Sequence, residues 1–286
     1  MKIFKTFLCI LLAAVLSGCL NGEPDKYPSI KELNKQFCAK DGRRYEHTVV
    51  ILDLTSKLKK AQVDYIEEMV FSEGFFKSYQ PFTKFSYVLI SEKTPQSQQP
   101  LFSKCRPKSG VRTKFDSFDL PTRKESELYV KRKWKGFILE SEKVFQSIFE
   151  KSPESDYSLI YETVVSIFKI PKFDFAKDYP KRNLVIVSDM MQHSDRMSFY
   201  NFCRTKNSAK PDSCPAFDQL MSNSSARDYI DSTSPSNEDV DIKIIFLNNR
   251  YETSRSLDPS LIRLWIEYFE KAGFETPEIE YQLDVD

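Results

Sequence analysis

Four short apolar runs constrain the fold of this chain more than any other feature of its sequence. The runs are HTVVILD at residues 47–53, KFSYVLIS at 84–91, RNLVIVS at 182–188 and IKIIFLN at 242–248. Three of them are continuous stretches of Val, Ile and Leu, which is typical of strands that are covered on both faces. We therefore expect a sheet that lies between two other layers of structure.

Amphipathic segments with helical spacing separate these runs. They cover residues 57–72, 124–150, 156–169 and 258–273. The last segment begins with Asp258 and Pro259, a cap and a first-turn proline, and it ends at Gly273. Strands that alternate with helices predict an α/β fold of three layers, with a mostly parallel sheet and helices on both faces.

Two long polar stretches exceed what a minimal fold of this kind requires. They are residues 92–123 and residues 190–238. Loops of this length inside a compact domain are usually functional or disordered. We expect one domain over residues 41–286, in which both stretches are insertions.

The N-terminus has the layout of a secretory signal. Residues 1–18, MKIFKTFLCILLAAVLSG, begin with two lysines and continue with an apolar run that is too short to span a bilayer. Residues 20–35 are polar and hold two prolines, so that residues 19–40 predict a tether between a membrane and the domain.

The end of this signal, Leu16-Ser17-Gly18-Cys19, resembles the lipobox of bacterial lipoproteins. The resemblance implies cleavage before Cys19 and acylation of Cys19, with palmitate among the acyl chains, and several chains on one residue give stable anchoring. Leu20 is not the aspartate that usually retains such proteins in the inner membrane. The resemblance therefore implies the periplasmic side of the outer membrane.

The remaining cysteines fit an exported protein. Outside Cys9 and Cys19, they are Cys38, Cys105, Cys203 and Cys214. An even number in an oxidising compartment predicts two disulfides, and four cysteines allow three pairings. We favour Cys203 with Cys214, which closes a short loop, and Cys38 with Cys105. The rival, a zinc site, lacks any CxxC pair.

Composition excludes several classes of function. The chain has seven glycines and no GxGxxG, GxxxxGKS/T or GxSxG motif, which predicts no nucleotide cofactor and no hydrolase nucleophile elbow. His47 and His193 are the only histidines, so few bases exist for a catalytic triad. Without Lys2 and Lys5 of the signal, 40 basic residues remain against 41 acidic ones, and this balance gives no sign of a nucleic-acid partner.

Carboxylates lie at the ends of two predicted strands. Asp53 ends the run at 47–53, and Asp189 follows Ser188 at the end of the run at 182–188. In open α/β sheets, ligands bind outside the carboxyl ends of the strands, where the strand order reverses. Asp53, Ser188 and Asp189 are therefore expected to share one crevice if their strands are parallel neighbours.

The chain resembles the von Willebrand factor A domain in three stretches, which are VVILDLTSK with the amphipathic helix after it, DYSLIYETVV and NLVIVSDMM. That family has a first strand ending in D-x-S-x-S, a threonine at the start of a central helix and a later strand ending in aspartate. The resemblance covers residues 45–275 at the level of the fold. It implies that Asp53, Thr55, Ser158 and Asp189 hold Mg²⁺ or a similar divalent cation, whose coordination a partner's carboxylate completes.

The sequence departs from that family at Lys57, where the family has a serine whose hydroxyl reaches the metal. A charged ammonium has no lone pair and cannot be a ligand. Either Lys57 turns to solvent and a weaker metal site survives, or Lys57 itself neutralises Asp53 and Asp189. A further interpretation makes Asp53 only the cap of the helix at 57–72.

Together these features predict a membrane-anchored lipoprotein that binds an unidentified envelope protein, rather than an enzyme. We expect the stretches 92–123 and 190–238 to set its specificity, because they lie near the strand ends. Two alternatives stay open. One is a metal-dependent phosphoester hydrolase that uses Asp53 and Asp189, with His193 as the base. The other is a structural component of a secretion or conjugation machine.

The lipobox generates a direct prediction. Cys19→Ser removes the thiol that would be acylated, so labelling by a palmitate analogue should be lost and the protein should leave the membrane fraction in a high-salt wash. Labelling followed by fractionation measures both effects. Cys9→Ser, inside the signal, should change neither, and acyl labelling that persists in Cys19→Ser would contradict the assignment.

Overall fold

A computed structural model describes residues 27–90, 99–115, 118–151, 155–175, 178–203, 214–233, 239–247 and 259–282. Its centre is a six-stranded sheet in the order β3-β2-β1-β4-β5-β6. The strands are β1 (Glu46–Leu52), β2 (Lys84–Leu89), β3 (Phe102–Cys105), β4 (Lys181–Ser188), β5 (Val240–Phe246) and β6 (Glu278–Tyr281). All neighbours pair in parallel except β2 and β3, which are antiparallel.

Helices pack on both faces of this sheet. They are α1 (Lys60–Val70), α2 (Glu73–Lys77), α3 (Glu127–Lys151), α4 (Ile160–Lys169), α5 (Phe199–Phe202), α6 (Phe217–Ser222), α7 (Ser224–Thr233) and α8 (Pro259–Lys271). Short 3-10 helices cover Ile30–Glu32 and Pro171–Phe173. Within the described ranges, no helix is both long and apolar enough to cross a membrane.

Two separate cores explain why the central strands have apolar residues at successive positions. Successive side chains of a strand point to opposite faces. In β1, Val49 and Ile51 join the core beneath α4 to α8, whereas Val50 and Leu52 join the core beneath α1 to α3. All seven residues of β1 are buried. The predicted three-layer α/β fold with a mostly parallel sheet is confirmed.

The two edge strands were not predicted because both are short and polar. β3 has the sequence FSKC and only its terminal residues are buried. β6 has the sequence EIEY, whose residues are exposed or half-buried. Strands of four residues with Lys or Glu lack both the length and the apolar pattern of a strand signal.

The stretch 92–123 does not lie where we expected. Residues 91–98 lie outside the described residues, and β3 then runs antiparallel to β2, so that the chain after Cys105 emerges at the amino-terminal edge of the sheet. Arg106 forms a fully buried ion pair with Asp119, with 2.7 Å between Nη2 and Oδ2. The expectation that this stretch lies near the carboxyl ends of the strands is therefore wrong for residues 106–115 and 118–123.

The stretch 190–238 is not a plain loop either. Its described part contains α5, α6 and α7, and the disulfide Cys203–Cys214 joins the end of α5 to the segment before α6. The second disulfide is Cys38–Cys105. Both favoured cysteine pairings are confirmed. Residues 204–213 and 234–238 lie outside the described residues.

The N-terminal segment packs on the domain from Tyr27 onwards. Tyr27, Ile30, Leu33 and Phe37 are buried. The backbone N–H of Cys105 in β3 also donates to a carbonyl of this segment, that of Gln36, at 2.9 Å. The predicted tether over residues 19–40 is therefore wrong for residues 27–40, whereas the predicted signal, Cys19 and the first part of the tether lie outside the described residues.

His47 lies in β1 and is fully buried. Its Nδ1 lies 3.0 Å from the carbonyl of Asp174, which can only accept, so Nδ1 carries the proton and Nε2 accepts from Ser86 Oγ at 2.9 Å. Burial and the nearby charge of Lys84 lower the pKa of His47 to about 3. His47 is therefore a structural residue of the sheet, neutral at ordinary pH.

This burial predicts a pH dependence of stability. The folded pKa lies below the unfolded value near 6.5, so protonation favours the unfolded chain, and stability is lost as the pH falls from about 6.5. Between pH 7 and pH 5, His47 should account for a loss of about 2 kcal/mol in the free energy of unfolding. Urea unfolding should show that loss in the parent protein and in His193→Gln. An equal loss in His47→Gln would contradict the prediction.

Candidate functional site

The carboxyl edge of the sheet has a crevice between β1 and β4. From β1 the chain proceeds through α1 to β2 on one side, and from β4 it proceeds through α5 to α7 to β5 on the other. The strand order therefore reverses between these two neighbours, which is where open α/β sheets bind ligands. Asp53 lies at this point, and its backbone N–H donates to the carbonyl of Val187 at 2.9 Å.

The Asp53 carboxylate accepts hydrogen bonds from three hydroxyl groups. Oδ1 accepts from Thr55 Oγ1 at 2.7 Å and from the Thr55 backbone N–H at 3.3 Å. Oδ2 accepts from Ser158 Oγ at 2.8 Å and from Ser188 Oγ at 2.7 Å. Asp53 is only 6% exposed, so hydroxyl groups replace the water that a buried carboxylate loses.

Asp53 does not cap the helix that follows it. α1 begins at Lys60, three residues later than predicted, and its N-cap residue is Lys59. The Gln62 side chain accepts from the Lys59 backbone N–H at 2.8 Å, which fixes the start of the helix locally. The interpretation of Asp53 as a helix cap is therefore wrong.

Lys57 lies outside the crevice network. Its side chain is exposed, and none of the ion pairs within the described ranges joins it to Asp53 or Asp189. An exposed ammonium is stabilised by water and exerts a screened field on its surroundings. Neutralisation of the crevice by Lys57 finds no support in this geometry.

Ser158 reaches the crevice through a short backbone bridge. The N–H of Ser158 donates to the carbonyl of His193, and the N–H of His193 donates to the carbonyl of Ser158, both at 2.9 Å. Next to this bridge, the buried Gln192 side chain accepts from the Tyr161 backbone N–H at 3.0 Å, in the first turn of α4. The segment after β4 thus positions both Ser158 and the start of α4.

Asp189 lies in a turn that is fixed from two sides. Its Oδ1 accepts from the Met191 backbone N–H at 3.0 Å, and its side chain is half-buried. Met190 has a φ of 60°, the left-handed conformation that side chains other than glycine rarely adopt. The Met190 N–H donates to Ser188 Oγ at 2.7 Å, and its carbonyl accepts from Trp265 Nε1 at 2.8 Å. These bonds hold the strained turn and with it Asp189.

An aromatic rim at the crevice was missed in the sequence. The His193 ring stacks on Tyr157 with 5.7 Å between the ring centroids and meets Tyr200 edge to face at 5.6 Å. The Tyr157 hydroxyl donates to Asp195 at 2.8 Å. The Nδ1 atom of His193 is buried without a hydrogen-bond partner among the described residues. The available signal was the presence of Tyr and His in otherwise polar segments beside Ser158.

The crevice has oxygen atoms that suit a hard cation. Thr55 and Ser158 each donate their proton to Asp53, and a hydroxyl oxygen that donates keeps two lone pairs. Mg²⁺ prefers such oxygen ligands and keeps several waters. No group of three or more His, Cys, Asp and Glu side chains in the described part of the chain could hold a metal. A cation here would therefore depend on hydroxyl groups together with Asp189.

No protein-family model and no curated protein sequence matches the chain. Among solved structures, the chain is similar to an aerotolerance-related membrane protein from Bacteroides fragilis NCTC 9343 that carries multiple mutations to serines. The sequence identity is 9%, the match covers 84% of this chain and 92% of the other, and the TM-score is 0.33.

The hydroxyl network generates a prediction about stability. Ser188→Ala removes a hydrogen bond to a buried carboxylate and leaves the Met190 N–H without its acceptor, so it should lower the free energy of unfolding by about 1.5–3 kcal/mol. Ser222→Ala removes an exposed hydroxyl, which donates to the carbonyl of Gln219, and should cost less than about 0.5 kcal/mol. Urea unfolding measures both. Equal costs for the two variants would contradict a special role for the Asp53 network.

Proposed function

We propose that this protein is a lipid-anchored envelope protein that binds a protein partner at the crevice around Asp53. The observation that carries the proposal is the buried Asp53 carboxylate with its three hydroxyl donors at the switch point of the sheet. Strongly constrained polar groups at this position of an α/β sheet are typical of binding sites. The resemblance to the von Willebrand factor A domain points to the same residues.

Binding is favoured over catalysis by the state of the crevice groups. Both oxygens of Asp53 accept hydroxyl protons, so this carboxylate has little capacity left to act as a general base. His193, the remaining candidate base, packs between Tyr157 and Tyr200. The glycines that would let backbone amides approach a phosphate are also missing from the sequence around Asp53.

A divalent cation such as Mg²⁺ is part of this proposal. Thr55, Ser158 and Asp189 would hold it, while Asp53 orients the two hydroxyl groups from behind. When bound, the cation supplies a positive centre for a carboxylate of the partner. The exposed position of Lys57 supports the proposal, because its charge can stay in solvent rather than compete with the cation.

The aromatic rim offers the partner a further contact. Tyr157, His193 and Tyr200 are each half-buried, and they lie beside the Ser158 bridge. Tyrosine is enriched among the residues that dominate binding energy at protein interfaces, since its large ring orders at low entropic cost. The rim would therefore supply affinity, whereas the oxygen atoms of the crevice would supply specificity for an acidic side chain.

Metal binding can be tested by thermal unfolding. With a dissociation constant of about 1 mM, about 10 mM Mg²⁺ should stabilise the protein by about 1.4 kcal/mol. This corresponds to a rise in Tm of about 3–5 °C for a domain of this size. Asp189→Ala, which removes a proposed ligand, should abolish the rise.

Lys57 provides a matched pair of controls. Lys57→Ser places a hydroxyl at the position where the resembled family has one, and it should enlarge the rise in Tm. Lys60→Ser removes the same charge from the start of α1 and should leave the rise unchanged. The absence of any shift in the parent protein and in Lys57→Ser would contradict metal binding.

Partner binding is tested separately by cross-linking in intact cells and recovery from detergent extracts. A band that disappears in Thr55→Ala and Asp189→Ala, but persists in Lys60→Ser, would place the partner at the crevice. A partner that all these variants retain would favour a structural component of an envelope machine. Turnover of a phosphoester that Asp189→Ala abolishes would favour the hydrolase instead.

A further inference from the structure

We propose that the amino-terminal edge of the domain carries a second, separate surface that contacts anionic phospholipid. This surface, termed the basic face, consists of exposed residues on the segment between β3 and α3. Its members are Val111, Arg112, Lys114, Phe118, Arg123 and Lys124. The inference rests on the proposed lipid anchor and extends it, because it assigns to the domain itself an orientation on the membrane.

The place where the N-terminus joins the domain supports this assignment. Tyr27 stacks on Tyr45 with ring centroids 5.3 Å apart and meets Phe118 edge to face at 4.8 Å. Tyr27 lies eight positions after Cys19, and an extended chain over that distance spans at most about 28 Å. An acylated Cys19 would therefore keep Tyr27, with Phe118 beside it, within about this distance of the bilayer surface.

The basic face is positive because two of the three acidic residues between β3 and α3 are paired internally; the third, Asp116, lies outside the described residues. Asp119 is fully buried with Arg106, and Glu125 is paired with the buried Lys108 at 2.8 Å. The four exposed cations form none of the ion pairs found within the described ranges; they are Arg112, Lys114, Arg123 and Lys124. Unpaired cations near an anionic membrane each contribute about fivefold in affinity.

Exposed apolar side chains accompany these cations. Val111 is 42% exposed and Phe118 is 40% exposed, although most large apolar residues of the domain are buried. Cations that flank an exposed aromatic ring are typical of surfaces that lie at the boundary between headgroups and acyl chains. A soluble acidic partner would contact the cations alone. An anionic bilayer would contact the cations with its headgroups and the apolar side chains with its acyl chains.

On the β5–β6 side of the same edge, exposed acids are paired with cations: Asp241 with Lys181 at 2.8 Å and Glu278 with Lys243 at 3.2 Å. An anionic membrane would therefore attract the β2–β3 side more strongly than the β5–β6 side, which gives the contact a direction. The Asp53 crevice lies at the other edge of the sheet, so this orientation turns it away from the bilayer.

Vesicle sedimentation tests the basic face without the anchor. The protein would be the chain from residue 19 onwards with Cys19→Ser, exported behind a cleavable signal so that both disulfides form. It should bind vesicles that contain phosphatidylglycerol and not vesicles of phosphatidylcholine alone. The double variant Arg112→Ser with Lys114→Ser should bind about 25-fold more weakly, by about fivefold for each charge. Binding should also weaken strongly between about 0.05 M and about 0.5 M salt.

A matched control removes two exposed cations from the far side of the domain. Arg227→Ser with Arg263→Ser, in α7 and α8, changes the net charge by the same amount and should leave vesicle binding unchanged. Equal losses in both double variants would overturn the proposal, since they would indicate a general charge effect. The proposal would also be overturned if the protein bound no vesicles, or if it bound cell-wall polymer and not lipid.

These outcomes can be told apart from a failure of the proposed function. Failure of acyl labelling at Cys19 would remove the anchor yet leave the vesicle result to stand alone. Metal and partner binding at the crevice are tested with other variants, at the opposite edge of the sheet, so their failure would not change the vesicle result. Vesicle binding that fails while acylation and partner capture succeed would overturn only the basic face.

Discussion

The Asp53 carboxylate is the interaction on which the carboxyl half of the structure depends. It joins three segments that are distant in sequence: the end of β1, the residue after Tyr157 and the end of β4. A buried carboxylate with no cation partner is costly unless hydrogen bonds replace its hydration, and three hydroxyl groups do so here. The crevice is thus built before any ligand arrives, because the bonds that stabilise the fold also orient the oxygen atoms of the site.

Buried charges are compensated by different groups at the two edges of the sheet. At the carboxyl edge, hydroxyl groups satisfy a single carboxylate. At the amino edge, complete ion pairs are buried, and Arg106 with Asp119 and Lys108 with Glu125 fix the segment after β3. A paired ion leaves no net charge to attract a ligand, so the charge of the segment after β3 comes from the exposed cations of the basic face.

The sequence was informative where the physical signal is local and repeated. Apolar runs predicted β1, β2, β4 and β5, because burial on both faces favours apolar residues at successive positions. β3 and β6 could not be predicted, since pairing with a neighbour rather than burial makes them strands. Asp53 and Ser188 followed from the rule on strand ends, and Thr55 from the resemblance to the von Willebrand factor A domain. Ser158 also followed from that resemblance, but the backbone bridge to His193 that positions it leaves no pattern in a sequence.

Cys38–Cys105 has a mechanical consequence for a domain that is attached at its N-terminus. Tension from an anchor would first peel away residues 27–37, whose contacts with the domain are noncovalent. The disulfide then stops the unravelling and transfers the load to β3, an edge strand that is hydrogen-bonded along its length to β2. The segment 27–37 can thus extend before the sheet bears any load. Whether the extension stops at Cys38 depends on whether the Cys38–Cys105 disulfide is intact.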